Sequence, residues 1–119
     1  MDPAPHIRDE LREPAKALHA EIPEVMSGFA AMSTAAFAEG RLSQKTMELA
    51  ALAIAISKEC DGCIVAHTRN LVRLGASRGE VAELIGVAIT MNGGPGTVWG
   101  PRTLRAYDEL VAERAGPNS

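Results

Sequence analysis

The chain has 119 residues, a net charge of −3 and a hydrophobic fraction of 46%, with four aromatic side chains and 20 alanines. This length suits one domain with its own core, and the hydrophobic fraction excludes a disordered chain. Alanine is the strongest helix former, whereas strands favour aromatic and β-branched residues. The composition therefore predicts an all-α single domain over residues 1–119. Because small side chains fill a core poorly, a partner subunit is expected to bury the apolar surface that remains exposed.

The first half of the chain contains signals for three helices. Residues 1–8 are expected to form a loose N-terminal arm, followed by a helix over Asp9–Ala20 that Pro14 begins or bends. A second helix is predicted from Pro23 to a stop at Gly40, with apolar residues at helical spacing. The third, Gln44–Lys58, follows an N-cap at Ser43 and is apolar nearly all round, so it is expected to be the buried central helix.

Three more helices are predicted in the second half. The fourth begins at Cys60–Asp61 and ends before Gly75, and the fifth opens with a capping box formed by Ser77 and Glu80. The stretch 92–100, with four glycines and one proline, predicts a loop or tight turn. The last helix is expected over residues 101–114, followed by a flexible tail at 115–119.

Charge and composition also disfavour several classes of partner. The 12 lysines and arginines are scattered and form no basic run, which disfavours nucleic-acid binding. The uncharged apolar stretch Leu49 to Ser57 is too short to cross a bilayer. Residues 1–12 lack the apolar stretch of a signal peptide, and two cysteines are few for a secreted disulfide framework. We therefore expect a cytoplasmic protein without a nucleic-acid or membrane partner.

The strongest local motif is Cys60-Asp61-Gly62-Cys63, with His67 four residues later. Positions three and four apart share one face of a helix, so the two thiols and the imidazole lie along one stripe. Free N–H groups in the first turn favour a thiolate, and the imidazole one turn beyond Cys63 can relay a proton. These are the components of a redox-active dithiol.

Two other interpretations remain open for these residues. The cysteines can be small buried hydrophobes, with His67 a hydrogen-bonded core histidine. Cys60, Cys63 and His67 can also be three zinc ligands, in which case His6, His19 or Glu48 would have to supply the fourth. Glu48 is the one ionisable residue from Met47 to Ser57. It either points outward near the helix start or lies against the cysteine–histidine stripe as a general base.

The spacing of these residues resembles a known family. Glu48, then Cys60-x-x-Cys63 twelve residues later, then His67, is similar to the alkylhydroperoxidase D-like branch of the carboxymuconolactone decarboxylase family. The resemblance continues through residues 71–77, the helix from residue 80 and the turn at 92–95, giving a family core at 22–113. Between the cysteines this chain has Asp61-Gly62, where the best-characterised peroxidase branch carries another histidine.

The resemblance implies an orthogonal helical bundle that assembles into trimers or hexamers and reduces peroxides through thiols. Cys63 would attack the peroxide, Cys60 would resolve the product to a disulfide, and Glu48 and His67 would relay protons. A lipoyl-bearing or thioredoxin-like protein would reduce the disulfide, and neither a metal nor a further cofactor is expected. The alternatives are a lactone decarboxylase or related carbon-acid enzyme using His67 and Glu48, and a non-enzymatic redox-sensing or zinc-stabilised oligomeric module.

Overall fold

Six α-helices follow one another in the computed structural model, which describes residues 1–116. The described residues contain no strand, so the all-α single-domain prediction is confirmed. The order is α1 (Ala4–Glu21), α2 (Pro23–Ala36), α3 (Gln44–Ser57), α4 (Asp61–Arg73), α5 (Arg78–Asn92) and α6 (Gly94–Ala115).

The core lies among α3, α4, α5 and α6. Helices α3, α4 and α5 contribute aliphatic side chains to one buried cluster. Tyr107 of α6 joins the cluster and donates a 2.7 Å hydrogen bond to the Ala76 carbonyl. The predicted capping box at Ser77 and Glu80 is present and opens α5. The largest side chains of the cluster are Leu52 and Ile56 from α3, Ile64 and Leu71 from α4, Val81 and Ile85 from α5, and Tyr107 from α6.

The N-terminal segment corrects the prediction of a loose arm at 1–8. Helix α1 begins at Ala4 rather than at Asp9, with Pro5 in its first turn and Pro14 in its interior. Ala4 and Ile7 are fully buried against side chains of α4 and α6. The segment is ordered because Ile7 anchors it in the core and proline suits the first turn of a helix, where its missing N–H costs nothing.

Helix α6 corrects the prediction of a loop at 92–100. The break is confined to Gly93, whose φ is +67°, and α6 then runs from Gly94 with a proline in its first turn. Gly96 and Gly100 lie where α6 approaches α5, and a Cβ atom on Gly96 would come within 2.7 Å of the Ile89 Cα atom. These glycines therefore permit close helix packing instead of marking a turn.

Replacing Gly96 by alanine is expected to lower the free energy of unfolding by about 1–3 kcal/mol, because the added methyl group meets backbone atoms that cannot move independently. Gly86→Ala is the control, since a Cβ atom there meets nothing within 4 Å. That control is expected to gain about 0.5–1 kcal/mol from helix propensity. Urea unfolding of the two variants measures the difference, and equal stabilities would contradict this account of the α5–α6 contact.

Helices α2 and α3 depart from expectation in their burial. Helix α2 ends at Ala36, before the expected stop at Gly40, and none of its residues is buried. Among the described helices it packs against α1 alone. Helix α3 is central, with Leu52 fully buried, but Ile54 remains 61% exposed. The prediction that α3 is buried all round is therefore wrong for the isolated chain. Both α2 and α3 have apolar surface that no other helix of residues 1–116 covers.

The C-terminal end of α6 corrects the start of the predicted tail at 115–119, because the helix includes Ala115 and ends at a Gly116 cap. Residues 117–119 lie outside the described residues. Within residues 1–116, no helix combines the length with the apolar character that crossing a membrane requires.

Candidate active site

The turn between α3 and α4 places Cys60 at the helix start. Helix α3 ends at Ser57, and two residues later Glu59 lies in the left-handed region, at φ +54°. The Cys60 N–H donates back to the Ala55 carbonyl. Because of this C-terminal motif, only Lys58, Glu59 and Cys60 stand between α3 and α4, and Cys60 is the N-cap of α4. The position of the first cysteine is thus fixed by the end of one helix and the start of the next.

The two cysteines form a disulfide across the first turn of α4. Their Cα atoms are 5.2 Å apart and their sulfurs are bonded to each other. The Cys63 N–H donates to the Cys60 Sγ atom over 3.2 Å, which is the capping interaction of this helix. Cys60 is half-buried and Cys63 is exposed. Cys63 is therefore the more exposed residue of the pair.

Glu48 and His67 meet across α3 and α4. The Glu48 Oε2 atom lies 2.7 Å from His67 Nδ1, and its Oε1 atom accepts a 3.0 Å hydrogen bond from Asn70 Nδ2. Glu48 is buried, with 6% of its surface exposed, whereas His67 is partly open. Both carboxylate oxygens are therefore occupied, as a buried charge requires. Glu48 lies against the histidine and does not point outward.

An aromatic side chain covers the imidazole. The Phe37 ring stacks on the His67 ring, with 5.7 Å between centroids and 22° between planes. Phe37 caps the end of α2, and its carbonyl accepts a hydrogen bond from the Gln44 side chain at the start of α3. One ring face of His67 is thereby shielded, and its orientation is set by Glu48 and Phe37 together.

The predicted site residues thus form two linked pairs. Cys60 is bonded to Cys63, Glu48 contacts His67, and the pairs are joined through the one helical turn between Cys63 and His67. Within residues 1–116 no hydrogen bond joins a cysteine sulfur to Glu48 or His67. Asn70 and Phe37 were missed by the sequence prediction. Asn70 had a detectable signal, because it lies three residues after His67 on the same helix face.

The proposed zinc ligands are not assembled. Both cysteine sulfurs are in the disulfide and are not thiolates. His19 is exposed on α1. His6 and Glu10, also on α1, form an exposed group with Asp2, which precedes the helix. The described residues therefore bring together a carboxylate, an imidazole and a dithiol couple, with chemistry suited to proton transfer and thiol exchange.

Comparison with known proteins identifies the family. Residues 23–106 match the model of the carboxymuconolactone decarboxylase family. The chain belongs to this family. The matched segment lies within the predicted family core at 22–113.

The chain is also similar to two relatives and to a solved structure of this family. The chain is 38% identical to an uncharacterized protein of Cupriavidus necator over 76% of this chain and 80% of that one. It is 35% identical to an uncharacterized protein of Haemophilus influenzae over 86% and 87% of the two chains. The crystal structure of the apo form of a carboxymuconolactone decarboxylase family protein from Legionella pneumophila superposes with a TM-score of 0.89 at 38% identity, covering 92% of this chain and 97% of that one.

Proposed function

We propose that the protein is a thiol-dependent peroxidase and disulfide oxidoreductase of the alkylhydroperoxidase D-like type. The observation that carries the proposal is the Glu48–His67 hydrogen bond one helical turn from a Cys-x-x-Cys pair. A carboxylate that orients an imidazole beside a thiol is a common arrangement for activating a nucleophile. A lactone decarboxylase has no need of the cysteine pair, so the pair favours redox chemistry.

In the oxidative half-reaction, Cys63 acts as the nucleophile. His67 takes the proton of the Cys63 thiol, the resulting thiolate attacks one peroxide oxygen and the O–O bond breaks. The leaving alkoxide then takes that proton from His67 to become an alcohol. Cys63 is then a sulfenic acid. The Cys60 thiol displaces its hydroxyl as water, which forms the disulfide. Exposure of Cys63 supports this assignment of roles, since a peroxide has to reach the attacking sulfur.

In the reductive half-reaction, an external dithiol restores the pair. The first thiolate of a lipoyl-bearing or thioredoxin-like protein attacks the sulfur of Cys63, the more exposed cysteine, and Cys60 leaves as a thiolate. The Cys63 N–H that already donates to Cys60 Sγ stabilises that charge. The second thiol of the reductant then displaces Cys63 and becomes oxidised in turn. Such reductants suit a cytoplasmic setting.

A thiol titration tests this function. We expect the reduced protein to lose two thiols per chain for each equivalent of peroxide, with the mass change of a disulfide, and a dithiol to restore both. A protein with both cysteines replaced by serine is the control and is expected to consume no peroxide. Two persisting thiols after peroxide would overturn the proposal. A double-serine protein that still decarboxylates a lactone would favour the carbon-acid reaction at Glu48 and His67.

We also propose that the chain forms a homo-oligomer, a trimer or a hexamer, in which a second copy covers α2. Val25, Phe29 and Met32 lie on one face of this helix and are 64%, 65% and 63% exposed. An apolar face of this kind on a helix that buries nothing is typical of a subunit contact. Because Phe37 at the end of α2 stacks on His67, the contact would also help exclude water from the site.

Native mass spectrometry measures the number of subunits. We expect Phe29→Glu to shift the protein towards monomers, because the carboxylate would be buried without a partner. Ser27→Glu is the matched control on the opposite face of α2 and is expected to leave the assembly intact. A wild-type protein that is monomeric and fully active would contradict the proposed assembly.

A further inference from the structure

A second site lies between α1, α4 and α6, on the side of α4 that carries Asn70. It is a cavity of about 460 Å³, within the size range of small-ligand sites. We call it the arginine cavity because four arginines line it, with one asparagine, one glutamate and two apolar residues. Its lining is Arg8, Arg69, Asn70, Val72, Arg73, Leu110, Glu113 and Arg114.

Three of the four arginines are free to bind an anion. Arg8 binds both oxygens of Glu113, and this interaction holds the pKa of the Glu113 carboxyl below its usual range. Among residues 1–116, Arg69, Arg73 and Arg114 form no ion pair. Three unpaired guanidinium groups at one cavity, in a chain with a net charge of −3, are a local concentration of positive charge.

An apolar cavity adjoins the first. It has a volume of about 250 Å³ and shares Arg8, Arg69 and Asn70 with the arginine cavity. Its other lining residues are small or apolar: Ile7, Leu11, Gly62, Val65 and Ala66. Gly62 and Ala66 lie on α4 to either side of Cys63 in sequence, so this cavity extends from the arginines towards the cysteine turn.

We propose that the two cavities together bind an organic anion, with a carboxylate on Arg69, Arg73 and Arg114 and a short apolar chain in the adjoining cavity. Guanidinium groups match the planar geometry of a carboxylate and bind it by charge-assisted hydrogen bonds. Leu11 and Val65 supply the apolar surface for the chain. Asn70 lines both cavities and donates to Glu48, so the ligand lies one residue from the Glu48–His67 pair.

Calorimetric titration with a series of straight-chain carboxylates from acetate to octanoate tests the site. We expect affinity to rise about two- to threefold for each added methylene, as apolar burial predicts. We expect octanoate to bind more weakly at high salt, which screens exposed charges. Octanol, the uncharged analogue, is expected to bind at least about tenfold more weakly, as loss of a charge-assisted contact predicts. Equal binding of acetate and octanoate, or of octanol and octanoate, would overturn the proposal.

Two pairs of matched variants locate the ligand. Arg69→Gln with Arg73→Gln is expected to weaken octanoate binding by about tenfold or more, whereas Arg41→Gln, an exposed arginine outside both cavities, leaves it unchanged. Leu11→Glu is expected to reduce binding, and Leu18→Glu is its control, since the two leucines are 47% and 49% exposed on the same helix. Unchanged binding in the arginine double variant would overturn the site.

The inference does not depend on the peroxide reaction. The double-serine protein is expected to bind octanoate with wild-type affinity, because neither cysteine lines either of these two cavities. Anion binding can therefore be found in a protein that fails the thiol titration, and the two proposals are tested separately.

Discussion

Replacing Cys63 by serine is expected to abolish peroxide consumption, with a fall of at least about 10³-fold, as is found when a catalytic nucleophile is removed. A serine hydroxyl is far less acidic than a thiol and does not attack a peroxide oxygen at neutral pH. Cys63 is also the more exposed cysteine, since Cys60 is half-buried at the N-cap. The loss should therefore be complete and not a slower version of the same reaction.

Cys60→Ser is the informative counterpart. This variant keeps the attacking sulfur and is expected to consume one equivalent of peroxide and stop as a sulfenic acid, which a dimedone-type reagent traps with a defined mass. Stopped-flow peroxide consumption and intact mass distinguish the two variants. A Cys63→Ser protein that traps a sulfenic acid, beside an inactive Cys60→Ser protein, would reverse the roles assigned to the two sulfurs.

The sequence predicts those features of the structure that depend only on residues close together in the chain. The capping box at Ser77 and Glu80 and the start of α4 at Cys60 both depend on side chains within four residues. Caps and helical faces are short-range features, so one sequence specifies them. The stripe of Cys63 and His67 is of the same kind, because a single helix aligns them.

The sequence could not determine contacts between helices. Glu48 and His67 are 19 residues apart, and their hydrogen bond depends on how α3 packs on α4. The glycines of α6 show the same limitation in reverse. In the sequence Gly96 is typical of a turn. In the structure it lies inside α6 against the backbone of α5, and that contact explains why a glycine stands within a helix. Ile7 is likewise buried by side chains of α4 and α6, which are distant from it in the sequence.

Glu48→Gln is expected to lower the rate of peroxide reduction by about 10²–10⁴-fold, the range for loss of a positioned acid–base group. A carboxylate only accepts hydrogen bonds, so an ionised Glu48 would hold His67 in the tautomer with the proton on Nδ1 and leave Nε2 to accept a proton. A glutamine side chain has a single acceptor oxygen, whereas His67 Nδ1 and Asn70 Nδ2 each contact one oxygen of Glu48. Facing its oxygen to Asn70 turns its amide towards Nδ1, which forces the proton onto Nε2 and removes the base.

Asn70→Ala separates this effect from a general loss of structure. It removes the second hydrogen bond to Glu48 but keeps the carboxylate on Nδ1, so the tautomer and most of the activity are expected to persist. Nitrogen NMR shifts of His67 report which ring nitrogen carries the proton. We expect Nδ1 to carry it in the wild type and in Asn70→Ala, and Nε2 in Glu48→Gln. Because His67 acts through Nε2 in this mechanism, a Glu48→Gln protein with the inverted tautomer and full activity would exclude the histidine from the proton relay.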